Sequence, residues 1–271
     1  MKFASIFAIL STIIYFSIGW VLAHHVWVET YNIQSAKEVE PLKIVMFADS
    51  HIGTTFDGEG FVKEVQKIQD QNPDVVLICG DFVDDDTTKQ DMEIACRSLG
   101  NLKTTYGVYY AFGNHDEGYY NYRDYTGKDL IENLEKNNVV VLQDEVVSIG
   151  ENYVLVGRCD ASKNERGSSR KSIEELVEPL NQDKFIIVMN HQPNDYESEA
   201  AANVDLVLSG HTHGGQLFPA TYAGEWFGMN DKTYGYEKRD NTNFIVTSGI
   251  SDWAIKFKTG CKSEIVVVNI E

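Results

Sequence analysis

Five short apolar runs in this chain each break off into a polar cluster built from aspartate, asparagine, histidine and glycine. Leu42 to Ala48 runs into Asp49-Ser50-His51, Val75 to Cys79 into Gly80-Asp81, and Val108 to Phe112 into Gly113-Asn114-His115-Asp116. Phe185 to Met189 runs into Asn190-His191-Gln192-Pro193, and Leu206 to Leu208 leads to Gly210-His211-Thr212-His213-Gly214. Apolar runs this short, bounded by turn residues, read as buried strands. Phe61, Val62, Val65 and Ile68, and later Met92, Ile94, Ala95 and Leu99, recur at helical spacing between the first three runs. Strand, helix, strand at this pace predicts parallel βαβ units with right-handed crossovers. Parallel strands deliver their ends to one edge, where side chains distant in sequence converge.

The second half is richer in strands. Val139 to Leu142, Val146 to Ile149 and Tyr153 to Val156 are β candidates, a helix is expected around Ile173 to Leu180, and Phe244 to Thr247 and Ile265 to Val268 close the chain as further β runs. There is no internal repeat. Asn72-Pro73 ends the first helical segment, and Pro41 marks the boundary before the first strand of an α/β domain over residues 41–271. Residues 24–40, polar and aperiodic from Thr30 to Glu40, are expected to be a linker.

Residues 1–23 form a different unit. Phe3 to Ala23 is almost unbroken apolar sequence without charge, long enough at about 1.5 Å per residue to cross a roughly 30 Å hydrocarbon core. Lys2 precedes it and the next Lys or Arg is Lys37, which favours the amino terminus inside and the folded domain outside the cell membrane. A cleaved signal peptide ending near Val21-Leu22-Ala23 is the competing reading, but its apolar region would be long for that. Trp20 and Trp27 fit an interfacial belt or ordinary packing.

Charge narrows the partners. With 41 acidic against 23 Lys and Arg residues, the net charge of −18 argues against a binder of nucleic-acid backbone. An anionic substrate is still compatible if cations at the site offset the charge locally. Cys79, Cys96, Cys159 and Cys261 show no CxxC spacing; Cys79 reads as a buried small apolar residue, and a Cys159–Cys261 bridge is conceivable only if the domain is exported.

Taken singly, each polar cluster has an ordinary explanation as a turn, an Asx motif or a satisfied polar histidine. Their joint occurrence after successive strands points instead to a metal site. Asp49 and His51 are two residues apart, as are His211 and His213, so on an extended backbone each pair points to one side. Asp81 can bridge two cations, Asn114 can offer a neutral oxygen, and the flanking glycines let a phosphate approach without meeting a Cβ. The donor set lacks sulfur, which disfavours Cu(I) and permits Mn, Fe or Zn, with Co or Ni also compatible.

From about Pro41 onward the chain resembles the calcineurin-like metallophosphoesterases, whose ordered pattern D-x-H, G-D-x-x-D, G-N-H-D, a later His and G-H-x-H is matched by Asp49 to His51, Gly80 to Asp84, Gly113 to Asp116, His191 and Gly210 to His213. The extension Gly214-Gly215-Gln216, together with the N-terminal apolar segment, is similar to the bacterial membrane-associated subgroup with a GHTHGGQ motif that acts on phosphodiesters or lipid-linked pyrophosphates. The resemblance implies an α/β sandwich of two mixed β-sheets flanked by helices and two divalent metal ions. Asp49, His51 and His213 would hold one metal, Asn114, His191 and His211 the other, and Asp81 would bridge them. It further implies in-line attack on phosphorus by a hydroxide shared between the ions, with His115 as general acid and Asp116 orienting it.

Substrate signals are thinner. Arg158, Lys163, Arg166, Arg170 and Lys171 gather in an otherwise acidic chain and can serve as a phosphate contact or as a solvated loop. Gly118-Tyr119-Tyr120-Asn121-Tyr122, and Phe218, Tyr222, Trp226 and Phe227, can line an acyl groove, dip into a membrane interface or pack on their own scaffold. Members of the resembled subgroup often carry an Arg shortly before the C-terminal strand, where this chain has Ile255-Lys256-Phe257-Lys258-Thr259-Gly260-Cys261. A lysine cannot reproduce a bidentate guanidinium contact. The expected activity is hydrolysis of a phosphodiester or pyrophosphate in a lipid or lipid-linked substrate, with soluble nucleotides or phosphomonoesters as the alternative and a non-catalytic metal-binding scaffold as the reading from another class. The residues point to no protein partner.

Overall fold

A computed structural model describes the chain except for Met1, Tyr120, Asn121 and Arg166 and the side chains of Lys2 and Glu165. Helix α1 (Lys2–His24) leads into β1 (Val26–Ile33), β2 (Leu42–Phe47), α2 (Gly58–Asp70), β3 (Val75–Cys79), α3 (Lys89–Leu99), β4 (Val108–Ala111), α4 (Gly127–Lys136) and β5 (Val139–Leu142). The chain continues through β6 (Glu145–Ile149), β7 (Tyr153–Gly157), α5 (Ser162–Glu165), α6 (Ile173–Val177), β8 (Phe185–Met189), α7 (Tyr196–Ala201) and β9 (Leu206–Ser209). A 3-10 turn (His213–Gly215), α8 (Ala223–Trp226), β10 (Gly235–Arg239), β11 (Thr242–Val246) and β12 (Ser263–Ile270) complete it.

The strands form two mixed six-stranded sheets, ordered β1-β12-β2-β3-β4-β5 and β10-β11-β9-β8-β7-β6. Strand alternation explains the layering, because successive side chains leave opposite faces of a sheet. Ile44 and Met46 point into a central layer with Leu155, Ile187 and Leu208 of the other sheet, whereas Val45 and Phe47 face Phe61, Val65 and Ile68 of α2 and Met92 and Leu99 of α3. On the far side Ile186 and Val188 meet Ile173, Leu176 and Val177 of α6 and Tyr196 of α7. The result is helices, sheet, sheet, helices, the sandwich that the sequence predicts.

Two expectations are corrected. Residues 24–40 are not simply a linker, since Val26–Ile33 pairs in parallel with β12 along its whole length, from Val26 opposite Ser263 to Ile33 opposite Ile270. The signal for it was weak: Trp27, Tyr31 and Ile33 lie on the more covered face and alternate with Val28, Thr30 and Asn32 on the exposed one. Helix α6 stops at Val177 rather than Leu180, because Pro179 supplies no N–H to continue the ladder. The expected strands otherwise hold to within one or two residues at either end.

Within Lys2–His24, Phe3–His24 is long and apolar enough to cross a membrane and is mostly uncovered by the rest of the protein. Its C-terminal end is docked, with Ser263 Oγ donating to the Ala23 carbonyl at 2.9 Å.

Candidate metal centre

The ends of β2, β3 and β4 in one sheet and of β8 and β9 in the other meet at one edge of the sandwich, and the polar clusters lie there. His51 Nε2 is 3.2 Å from His213 Nε2, and His213 Nε2 is 3.7 Å from Asp49 Oδ1. Beside this group, Asn114 Oδ1 lies 3.2 Å from His191 Nε2 and 2.9 Å from His211 Nδ1. Asp81 Oδ2 stands between the two, 3.1 Å from His191 Nε2 and 3.8 Å from His51 Nε2. All seven sequence-predicted ligands are therefore gathered. Asp49, His51 and His213 form one cluster of metal-ligand geometry and Asp81, His191 and His211 another.

The donor set fits cations. Ligand atoms held about 2.1 Å from one ion stand roughly 3.0 to 3.4 Å apart in octahedral or tetrahedral geometry, close to the four separations of 2.9 to 3.2 Å, while the Asp49–His213 and Asp81–His51 pairs at 3.7 and 3.8 Å stand wider. Tautomers fit as well. His191 Nδ1 lies 2.7 Å from the Cys79 carbonyl and so must donate to it, leaving Nε2 with a lone pair. Asp84 Oδ2, 2.9 Å from His51 Nδ1, does the same for His51. His213 Nδ1 is buried without a hydrogen-bond partner, and its Nε2 faces the His51 Nε2 lone pair at 3.2 Å, a place for a cation.

The backbone bears the same mark. Asp49 (φ 55°), His51 (φ 36°), Asp81 (φ 51°), His211 (φ 70°) and His213 (φ 50°) all occupy the left-handed region. Such a conformation costs a non-glycine residue on the order of 1–2 kcal/mol and collects at functional sites. It also corrects the geometric reasoning above: Asp49 and His51, like His211 and His213, converge through kinked turns rather than along an extended strand. Tight approach then demands glycine. A Cβ at Gly113 would meet Asp81 Oδ1 at 2.2 Å, and one at Gly210 would meet Asp49 Oδ2 at 2.5 Å.

Burial sets the electrostatics. It pushes Asp49 up to about 6, against the pull of His191, and pushes His211 down to about 4 with His191 adding to the effect. Asp81 is held well below the carboxylate range because His191 overcomes its burial. A divalent cation among these groups favours carboxylate and neutral imidazole alike.

His115 lies at the rim. Burial works to lower its pKa, but the hydrogen bond to Asp84 outweighs this and raises it. The expected orienting residue is corrected here. Asp116 is fully buried and its oxygens accept from the N–H groups of Gly113, Asp81, Phe82 and Val83 at 2.7, 2.9, 2.9 and 3.2 Å, so it pins the two ligand loops together. The ring of His115 is oriented by Asp84, whose Oδ1 is 3.0 Å from Nδ1. Asp84 was legible as the last residue of the G-D-x-x-D pattern, but its role was not.

A pocket of about 770 Å³ opens over the cluster, lined by Asp81, Asn114, His115, His211 and His213 and walled by Tyr119, Tyr122, Met229 and Trp253. Tyr119 stacks edge-on against His115, ring centres 4.9 Å apart, and its hydroxyl accepts from Asn114 Nδ2 at 2.8 Å. Tyr120 and Asn121 lie outside the described residues. Phe218, Trp226 and Phe227 are exposed rather than packed on the scaffold.

The described members of the basic group do not line this pocket. Arg158 is buried against Asp195 at 2.7 Å and Glu199 at 3.1 Å, and Arg170 bonds Asn190 at 3.1 Å. Lys163 bonds Cys159 Sγ at 3.2 Å, Lys171 reaches the Asp144 carbonyl at 3.4 Å, and Arg166 lies outside the described residues. Of the lysines standing where the resembled subgroup often has Arg, Lys258 is buried and donates to the Ser248 carbonyl at 2.8 Å, while Lys256 is exposed. All four cysteines are free, Cys261 donating to the His213 carbonyl at 2.9 Å.

Known proteins resemble this chain to differing degrees. Residues 42–215 match the family model described as calcineurin-like phosphoesterase. An uncharacterized metallophosphoesterase of Campylobacter jejuni is 30% identical over 90% of this chain and 63% of its own length. A transmembrane protein with metallophosphoesterase domain from Danio rerio is 30% identical over 83% of this chain and 52% of its own length. The chain thus spans about half to three-fifths of the length of these curated relatives. Among solved structures, a dimetal phosphatase from Danio rerio superposes with a TM-score of 0.50 at 12% identity, covering 76% of this chain and 87% of that one. TT1561 of Thermus thermophilus gives 0.51 at 14% identity, covering 79% and 90%. These two share the fold.

Proposed function

The chain belongs to the calcineurin-like phosphoesterase family, and from that premise we propose that it is a dinuclear metal-dependent phosphohydrolase that cleaves phosphodiester or pyrophosphate bonds of a membrane lipid or lipid-linked substrate. The carrying observation is the position of Asp81 Oδ2, within 3.1 Å of His191 and 3.8 Å of His51, where one carboxylate serves two adjoining ligand groups. Asp49, His51 and His213 would hold one cation and Asn114, His191 and His211 the second, with Asp81 placed to serve both; two such cations would supply a lowered pKa for water and positive charge for the phosphoryl oxygens.

The protein's own groups do the rest. His115 Nδ1 donates to Asp84, whose charge favours the doubly protonated ring, and that imidazolium offers its Nε2 proton to the departing oxygen. Asp81 Oδ1 fixes the His115 backbone N–H at 2.8 Å, so the acid and the bridging carboxylate move as one unit. Tyr119 and Trp253 flank His115, with ring centres 4.9 and 6.1 Å from its own. Residues 1–23 act as a single-pass anchor with the catalytic unit outside the cell, in keeping with the GHTHGGQ subgroup.

Metal analysis with turnover of bis-p-nitrophenyl phosphate and p-nitrophenyl phosphate tests this reading. Wild-type protein should carry about two cations per chain and favour the diester, and Asp81→Asn should lose both metal and turnover. Full turnover in metal-free protein, or in Asp81→Asn, overturns it.

A further inference from the structure

The loop between β11 and β12 is tied to two places at once. At one end Trp253 stands over the pocket, its ring centre 6.1 Å from that of His115. Four residues later Phe257 packs on α1, with ring centres 5.6 Å from Tyr15 and 5.5 Å from Phe16. It lies so close to the helix backbone that a Cβ on Gly19 would meet its ring at 2.2 Å, and Lys258 N donates to the Gly19 carbonyl at 3.3 Å.

Depth follows from helix geometry. At about 1.5 Å per residue, Gly19 lies roughly 7 Å and Tyr15 roughly 13 Å before the end of α1 at His24. The 22 residues Phe3–His24 extend about 33 Å, close to the roughly 30 Å of a hydrocarbon layer. A segment docked at Tyr15 to Gly19 therefore sits below the boundary of that layer whenever α1 fills it.

The loop is equipped for that depth. Trp253 and Ile255 are 50% and 47% exposed, and Phe218, whose N–H donates to Thr259 Oγ1 at 3.0 Å, is 69% exposed beside them. Irregular backbone survives in hydrocarbon only if its polar groups are satisfied internally. Gln216 meets much of this need: its Nε2, with two N–H groups, lies 3.1, 3.1 and 3.3 Å from the carbonyls of Trp253, Ile255 and Phe257, and its Oε1 accepts from Trp253 N at 3.3 Å. The N–H groups of Ile255 and Phe257 bond within the loop. Exposed Lys256 has a stem long enough to bring its ammonium up to headgroup level.

We infer that residues 253–257, with Phe218, form a membrane-inserting wedge whose occupant is the hydrocarbon of one bilayer leaflet, and that the pocket mouth beside Trp253 thereby opens at headgroup depth to a lipid entering sideways. This rests on the reading of α1 as a membrane span, and it fixes where the substrate's phosphate lies.

Depth-dependent quenching in the full chain tests it. An environment-sensitive fluorophore is placed at Ile255→Cys, Ile9→Cys in the N-terminal half of α1 and Asp240→Cys in the turn at the far edge of the second sheet, each corrected for labelling of the parent protein. The proteins are reconstituted in phosphatidylcholine vesicles carrying doxyl-labelled lipid. Quenching at 255 should approach that at 9 and exceed that at 240 several-fold. Quenching at 9 with none at 255 overturns the wedge and leaves the anchor standing, whereas quenching at neither overturns both. A probe at 255 that is blue-shifted but unquenched means a protein surface covers the loop, and this too overturns the proposal.

Discussion

His115 Nδ1 sits 3.0 Å from Asp84 Oδ1, while the other oxygen of that carboxylate takes His51 Nδ1 at 2.9 Å. One side chain thus orients both a cation ligand and the acid. Asp84→Asn keeps the shape but can no longer hold both rings as acceptor, and kcat on bis-p-nitrophenyl phosphate should fall about 10- to 100-fold. The pH profile should move too. An acid works only while protonated, so the rate declines as pH rises through the His115 pKa, which Asp84 raises against the effect of burial. Removing the carboxylate's charge should shift that basic limb to lower pH; an unmoved limb would assign the proton to another group.

Chelation should lower Tm as well as abolish turnover. The clustered carboxylates and imidazoles are held in left-handed backbone conformations, and a ligand that binds only the folded state stabilises it by about 2.7 kcal/mol at a hundredfold excess over Kd. Calorimetry after EDTA treatment, and again after Mn²⁺ is restored, measures this directly. An identical Tm in all three states contradicts it.

Gly113→Ala should be disproportionately harmful. Its Cβ would lie 2.5 Å from Asp81 N as well as 2.2 Å from Asp81 Oδ1, so backbone has to shift. A stability loss of about 1–3 kcal/mol is expected, with loss of bound metal. Gly127→Ala, whose Cβ finds nothing nearer than 3.5 Å at the start of α4, should be close to neutral or stabilising in the same urea melts.

Arg158→Met tests the buried ion cluster behind β8. With the guanidinium gone, buried Glu199 loses its counter-ion while Asp195 keeps only the longer Arg170 contact at 3.5 Å, and breaking such a buried pair typically costs about 3–5 kcal/mol. The loss should depend on pH. Burial, opposed by Arg158, already raises Glu199 from 4.5 to about 7. Its stabilising contribution is then fully present below 4.5 and lost as pH rises through about 7. The variant lacks the opposing charge, so it should fall further behind wild type at pH 8 than at pH 5.

The layers of the sandwich were legible because Val75 to Cys79 and Phe185 to Met189 are buried on both faces and read as unbroken apolar runs, as does Leu42 to Phe47 but for half-buried Lys43. Strand β1 was not, since Val26–Ile33 is a half-covered edge whose weak alternation follows the apolar stretch of α1. Helix α4 shows the opposite: Leu130, Ile131 and Leu134 have helical spacing behind a Thr126 and Asp129 capping box, a signal present in the sequence and not read. The seven ligand positions could be named from spacing and resemblance, but the exchange of Asp116 for Asp84 as the partner of His115 could not, because both carboxylates follow strand ends and only their directions differ.

By itself, then, the sequence determined which residue types arrive at the strand ends, since apolar run length and glycine placement are local properties of the chain. Which carboxylate meets which imidazole, how the two sheets bring His213 against His51, and how far down α1 Phe257 docks were decided only by the tertiary structure. Those contacts join residues more than thirty positions apart at the least, and their geometry is set by sheet packing and kinked backbone rather than by any periodicity along the chain.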